Sequence, residues 1–129
     1  MLPMKPPSRK PTDAELAILR ILWSRGPSTV RGVATEMGSE DAYTTVLKLL
    51  QIMTDKQLVR RDASTRTHVY EAAHSEAQMQ QHLVADLLDR AFDGSAAALV
   101  MRALSAKKTS AKELADIRRL LKMKEGGSK

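Results

Sequence analysis

Thr44, Lys48, Gln51 and Asp55 recur at three- and four-residue spacing, with Thr45 beside the first of them. On a helix turning about 100° per residue they fall opposite an apolar stripe of Val46, Leu49, Leu50 and Met53. The outer face so formed has the chemistry of a base reader. An ammonium donates to guanine O6 or N7, a carboxamide pairs with adenine, and threonine meets a thymine methyl or a phosphate. A few residues on, Arg60, Arg61 and Arg66 bracket the polar run Asp62-Ala63-Ser64-Thr65. Guanidinium groups around a turn can grip phosphates beside a groove. Asp55 and Asp62 oppose a polyanionic partner.

The elements that must hold these faces follow from periodicity and punctuation. Thr12 with Glu15 forms a capping box that opens a first helix, in which Leu16, Leu19, Leu22 and Trp23 share a face and Gly26-Pro27 ends the run. Ser28 or Thr29 caps a second, short helix carrying Val30, Val33, Ala34 and Met37, stopped by Gly38. The third helix, roughly Ala42 to Lys56, is the one with the polar outer face. The period then becomes extended over Leu58 to Arg61 and again over Arg66 to Glu71, predicting a β-hairpin. Ser75 with Gln78 caps a fourth helix bearing Leu83, Leu87, Leu88 and Phe92, broken at Asp93-Gly94. A fifth runs from Ser95 to Ser105 with Leu99 on its apolar side, and a sixth starts at Ser110 with Leu114, Ile117 and Leu121.

Three short helices followed by a basic hairpin make a winged helix-turn-helix, in which the third helix enters the major groove of DNA and the hairpin flanks it. The predicted fold is therefore mainly α with a small β wing. Residues 1–11, with four prolines and no periodicity, read as a flexible arm, 12–74 as the DNA-binding domain, 75–124 as a helical dimerisation domain and 125–129 as a disordered tail. Three helices of the last kind can scarcely enclose a core alone, so Leu83, Leu87, Leu88, Phe92, Leu99, Leu114, Ile117 and Leu121 are expected to meet a second copy, the alternative being that they pack on the winged helix as one monomeric domain. A two-fold dimer reads a palindrome, and the partners are then double-stranded operator DNA and the chain itself.

Composition bounds the alternatives. Of 129 residues, 21 are Lys or Arg and 15 Asp or Glu, a net charge of +6 that falls equally on the two halves and favours a polyanion. With 43% hydrophobic but only 3% aromatic residues, the core must be built from aliphatic side chains. There is no cysteine, hence no disulfide, thiolate metal site or cysteine nucleophile. His68, His74 and His82 lack metal-ligand spacing, and there is no glycine-rich phosphate loop, so neither catalysis, a metal nor a cofactor is expected. No run nears the ~20 apolar residues of a membrane span, and Met1 to Pro11 lacks the apolar run of a signal peptide, which predicts a cytoplasmic protein.

Four segments, Thr12 to Val33 (TDAELAILRILWSRGPSTVRGV), Ala42 to Leu50 (AYTTVLKLL), Lys56 to Arg61 (KQLVRR) and Arg66 to Tyr70 (RTHVY), together resemble the BlaI/MecI/CopY penicillinase-repressor family. The resemblance runs in order over nearly the whole chain. It implies a homodimeric transcriptional repressor whose recognition helix uses Tyr43, Thr44, Thr45 and Lys48 and whose wing spans Arg61 to Arg66. It also implies derepression by a membrane-bound sensor protease that cuts in the dimerisation helices. The aligned bond falls near Arg102-Ala103, within the run VMRAL where the best-known members carry an Asn-Phe pair. The copper-responsive branch carries a C-terminal cysteine cluster, and this chain has no cysteine.

Two other functions fit the same elements: a winged helix that docks proteins, and a sequence-independent nucleoid binder. Salt separates them, because operator binding weakens steeply with salt while keeping a sequence preference. Nucleoid binding shows only the first behaviour and protein docking neither.

Overall fold

A computed structural model describes residues 10–38 and 40–127. The elements are α1 (Asp13–Arg25), β1 (Ser28–Thr29), α2 (Val30–Glu36), a 3₁₀ turn (Glu40–Ala42), α3 (Tyr43–Asp55), β2 (Val59–Asp62), β3 (Val69–Ala72), α4 (Glu76–Ala91), α5 (Ala96–Ala106) and α6 (Ala111–Gly127). The three strands form one antiparallel sheet in the order β1-β3-β2. The fold is thus mainly helical with a small β wing, as the periodicity predicts. No helix among the described residues is long and apolar enough to cross a membrane. Of the arm expected over 1–11, only Lys10 and Pro11 are described, and both lack regular structure.

The chain divides into two compact units, the first ending at Ala85 and the second running from Asp86 to Lys129. In the first unit, Ile18, Leu19 and Leu22 of α1 are buried together with Val33 of α2, Val46, Leu50 and Met53 of α3, and Leu58, Val59 and Tyr70 of the wing. The division falls inside α4, not at the expected boundary after His74. Met79, in the first turn of that helix, is 1% exposed in this core and Leu83 packs half-buried against it. Leu83 thereby has an apolar partner within its own chain, whereas the sequence assigns it to a dimer surface.

The caps explain why the helices start and stop where they do. Thr12 Oγ1 accepts from Glu15 N at 3.2 Å while Glu15 Oε1 accepts from Thr12 N at 2.9 Å, the reciprocal capping box. Gly26, at φ 88°, ends α1 by donating its N–H to Leu22 O, a backbone conformation that costs a side-chain-bearing residue about 1 kcal/mol or more. The end of α3 is a Schellman motif made without glycine. Gln57 sits at φ 65°, Gln57 N donates to Thr54 O, and buried Leu58 donates to Met53 O. The start of α4 is a second capping box, Ser75 N to Gln78 Oε1 at 2.8 Å and Gln78 N to Ser75 Oγ at 3.1 Å.

The wing differs from its expected outline. Arg66, Thr67 and His68 lie outside β3, so the loop between the strands spans residues 63–68, closed by the pair Asp62 and Val69. Side chains supply the reason: Ser64 N donates to Asp62 Oδ1 at 2.9 Å and Thr65 Oγ1 donates to Thr67 O at 2.6 Å. Such local bonds satisfy backbone groups that would otherwise seek a ladder partner. The third strand, β1, has no alternating pattern of its own and forms by pairing Ser28 with Tyr70 and Thr29 with Val69. At the other terminus α6 continues through Gly127, so 125–127 are helical where a disordered tail is expected. Lys124 in its last turn complements the helix dipole there.

The segment leading into α4 is anchored by Trp23, whose Nε1 donates to His74 O at 2.9 Å. Burial, then the nearby His82 and Arg60, hold the His74 imidazole below its usual value, against a hydrogen bond with the Gln57 backbone that favours the cation. The unfolded chain therefore takes up a proton before the folded one does. Stability contributed by neutral His74 is present above about pH 6.5 and is lost as pH falls through the lower folded value. The melting temperature is expected to drop between pH 7.5 and 5.5, and less so for His74→Gln. Equal slopes in the two proteins would remove His74 as the cause.

Candidate nucleic-acid interface

The interface is built from α3 outward. Val46, Leu50 and Met53 are buried, which fixes the rotation of the helix. Tyr43, Thr44, Thr45, Lys48 and Gln51 are consequently all exposed, as is Asp55. Position along the chain is fixed as firmly. The 3₁₀ turn leads directly into the first turn of α3, and the Schellman motif delivers the chain into β2 with Leu58 and Val59 buried.

One edge of α3 borders an open cavity of about 370 Å³. Arg31 of α2, Tyr43 and Leu47 of α3, and Arg66, Thr67 and His68 of the wing loop line it, with Val30 and Tyr70 behind them. The Arg31 guanidinium lies 5.7 Å from the centroid of the Tyr43 ring, a cation–π contact that orients both groups without consuming the guanidinium donors. Two cations from separate elements thus flank a recognition-type helix on the same side. A cavity of this size lined by two guanidinium groups can accept a phosphate, with forked donors matched to its oxygens. Sequence reading missed Arg31, because one arginine on a seven-residue helix has no periodic signal and meets Tyr43 and Arg66 only through tertiary packing.

The three wing arginines do not act as a set. Arg66 reaches the cavity beside α3. Arg60 faces the other way: its Nη2 donates to Ala73 O at 3.1 Å, its Nη1 lies 3.9 Å from Glu71 Oε1, and it lines a separate cavity with Thr54, Gln57 and His74. Arg61 is exposed opposite Tyr70 in the ladder, on the strand face that alternates with that of Arg60. At the loop, hydrogen bonds from Ser64 hold the Asp62 carboxyl below the usual carboxylate range, so it is anionic and tied to its own turn.

In the second unit no side chain among residues 86–126 is buried. Leu88, Phe92, Leu99, Leu114 and Ile117 are half-buried, while Leu87 and Leu121 are 47% and 56% exposed. Arg102 and Ala103 are exposed on α5. Among the described residues no group of three His, Asp or Glu is placed to hold a metal.

Comparison with known proteins classifies the chain. The family model described as penicillinase repressor matches residues 11–123. Two curated proteins, each called transcriptional regulator BlaI and from the Mycobacterium tuberculosis strains CDC 1551 and H37Rv, are 38% identical over 93 residues. The match covers 68% of this chain and 67% of each relative. A family match spanning both units, together with an exposed polar helix face and flanking cations, leaves one classification: the chain belongs to the penicillinase repressor family, whose members are transcriptional repressors and not enzymes.

Proposed function

We propose that the chain acts as a homodimer on a pseudo-palindromic operator, reading base edges with Thr44, Thr45, Lys48 and Gln51 of α3 and gripping the backbone with Arg31, Arg61 and Arg66. The observation that carries this reading is the convergence of Arg31 and Arg66 on the edge of α3 at Tyr43 and Leu47. A solvated helix face needs no such flanking cations, whereas a helix in the major groove has phosphates on both sides. In this reading the first unit binds DNA and the second dimerises. Helices with apolar stripes and no buried side chain among residues 86–126 lack a core, and a second copy would supply one.

Derepression in this scheme follows from cleavage of Arg102-Ala103 by a membrane-bound sensor protease. The bond is exposed but helical, so α5 must unwind locally before a protease can take it in extended form. Losing the last turn of α5, residues 103–106, and all of α6 removes Leu114, Ile117 and Leu121 from the dimer surface. An operator-binding protein of this kind works in the cytoplasm.

Selection of bound duplexes from a random pool, with binding repeated at two salt concentrations, tests the proposal. A two-fold symmetric consensus bound by a dimer, weakening steeply with salt, is the expected result. Salt-sensitive binding with no consensus would favour a nucleoid binder, and no binding would favour a protein-docking module. On the selected operator, Arg31→Ala is expected to weaken binding to all sequences alike and to reduce the salt slope by about one per half-site. An unchanged slope would mean that Arg31 meets no phosphate.

A further inference from the structure

We propose that Ile52 is a specificity-determining residue that packs against the 5-methyl group of a thymine in the operator; this rests on the operator reading above. The remaining aliphatic side chains of α3 are buried, as Val46 and Leu50 are, or half-buried, as Leu47 and Leu49 are. Ile52 is 39% exposed. It follows Thr45 and Lys48 at i, i+3 and i+7, so the three side chains form one strip along the outer face of the helix. That strip lies across the helix from the edge at Tyr43 and Leu47, which borders the arginine cavity.

A strip of hydroxyl, ammonium and branched aliphatic has a natural counterpart in the major groove. Of the groups the four bases present there, the thymine methyl is the apolar one. Ile52 has no donor or acceptor to offer a phosphate or a polar base edge, so inside the groove only apolar contact avoids stranding polar groups. Its place along the helix also sets the register. Four residues beyond Lys48, it lies about 6 Å further along the axis, roughly two base-pair steps of about 3.4 Å each. The thymine is therefore expected one or two base pairs from the position whose identity depends on Lys48.

The test uses the full-length protein and its selected operator, with each thymine replaced in turn by deoxyuridine, which removes the methyl and leaves the pairing edge intact. One thymine per half-site is expected at which uracil weakens the wild type about fourfold, the factor for removing one apolar methyl from a contact. Ile52→Ala should be nearly indifferent to that replacement, and Ile52→Val, which keeps a branched surface, should retain most of the sensitivity. Melting curves of the variants confirm that the fold is unchanged. If every uracil costs wild type and Ile52→Ala the same factor while sequence-specific binding persists, the inference is overturned and the operator reading stands. Failure of the wild type to prefer any sequence overturns both.

Discussion

Lys56→Met is expected to cost about 3 kcal/mol of folding stability at neutral pH, the lower end of what removing one partner of a buried ion pair costs. Lys56 Nζ lies 2.8 Å from Glu15 Oε1 and 3.0 Å from Oε2, with side-chain exposures of 15% for Lys56 and 2% for Glu15. The pair joins the first turn of α1 to the C-terminal end of α3 across 41 residues of sequence, so it braces α3 as well as the core. Burial alone would raise the Glu15 carboxyl, but Lys56 and the hydrogen bonds with Thr12 outweigh it and hold the group below its usual value. Its stabilising contribution is therefore present above the ordinary glutamate range and is lost as pH falls through the depressed folded value.

Removing the ammonium reverses that sign. In Lys56→Met, burial acts on Glu15 against fewer opposing groups, its folded pKa rises, and acidification relieves a buried charge instead of breaking a pair. Urea unfolding at pH 7 and pH 4 should then show the difference between wild type and Lys56→Met shrinking markedly at the lower pH. Changes due to His74 are common to both proteins and cancel in the comparison. The double variant Glu15→Gln, Lys56→Met should recover much of the loss at pH 7, because neither charge is left buried alone. A Lys56→Met protein within 1 kcal/mol of wild type at pH 7 would show that the pair does not brace α3.

Glu15 illustrates what the sequence reveals and what it hides. Its place three residues after Thr12 announces the capping box, and both reciprocal hydrogen bonds form. Nothing local announces Lys56, whose partner is set by the packing of α1 on α3. The same division runs through the chain. Repeating apolar positions and caps are local signals, so all six helices were legible, including the breaks at Gly38 and Asp93-Gly94. β1 was not, since two polar residues become a strand only by pairing with β3. In Arg66-Thr67-His68 the alternation is extended, but turn hydrogen bonds keep those residues out of the ladder. At the interface the outer face of α3 followed from rotation alone, whereas the inward turn of Arg60 toward Ala73 and the arrival of Arg31 beside Tyr43 are products of tertiary packing. Periodicity likewise marks Leu83 and Leu87 as one apolar stripe without saying which of them the chain covers for itself.

That last distinction predicts opposite fates for two similar substitutions. Leu87 is 47% exposed in the single chain, so an aspartate there meets water in the monomer and should leave its folding intact. In the proposed dimer the same carboxylate is buried without a partner, which costs several kcal/mol and drives dissociation. Leu87→Asp is thus expected to sediment as a folded monomer with wild-type helicity. Each monomer then engages one half-site, and operator affinity should fall by roughly 10² to 10⁴, the advantage that linking two binding units confers. Leu83→Asp should behave differently: that side chain packs against the first unit's core, so the charge destabilises the fold and lowers the melting temperature. A Leu87→Asp protein that remains a dimer with full affinity would place the interface on another face of the helices, and a wild-type chain that sediments as a monomer on and off DNA would dispose of the dimer altogether.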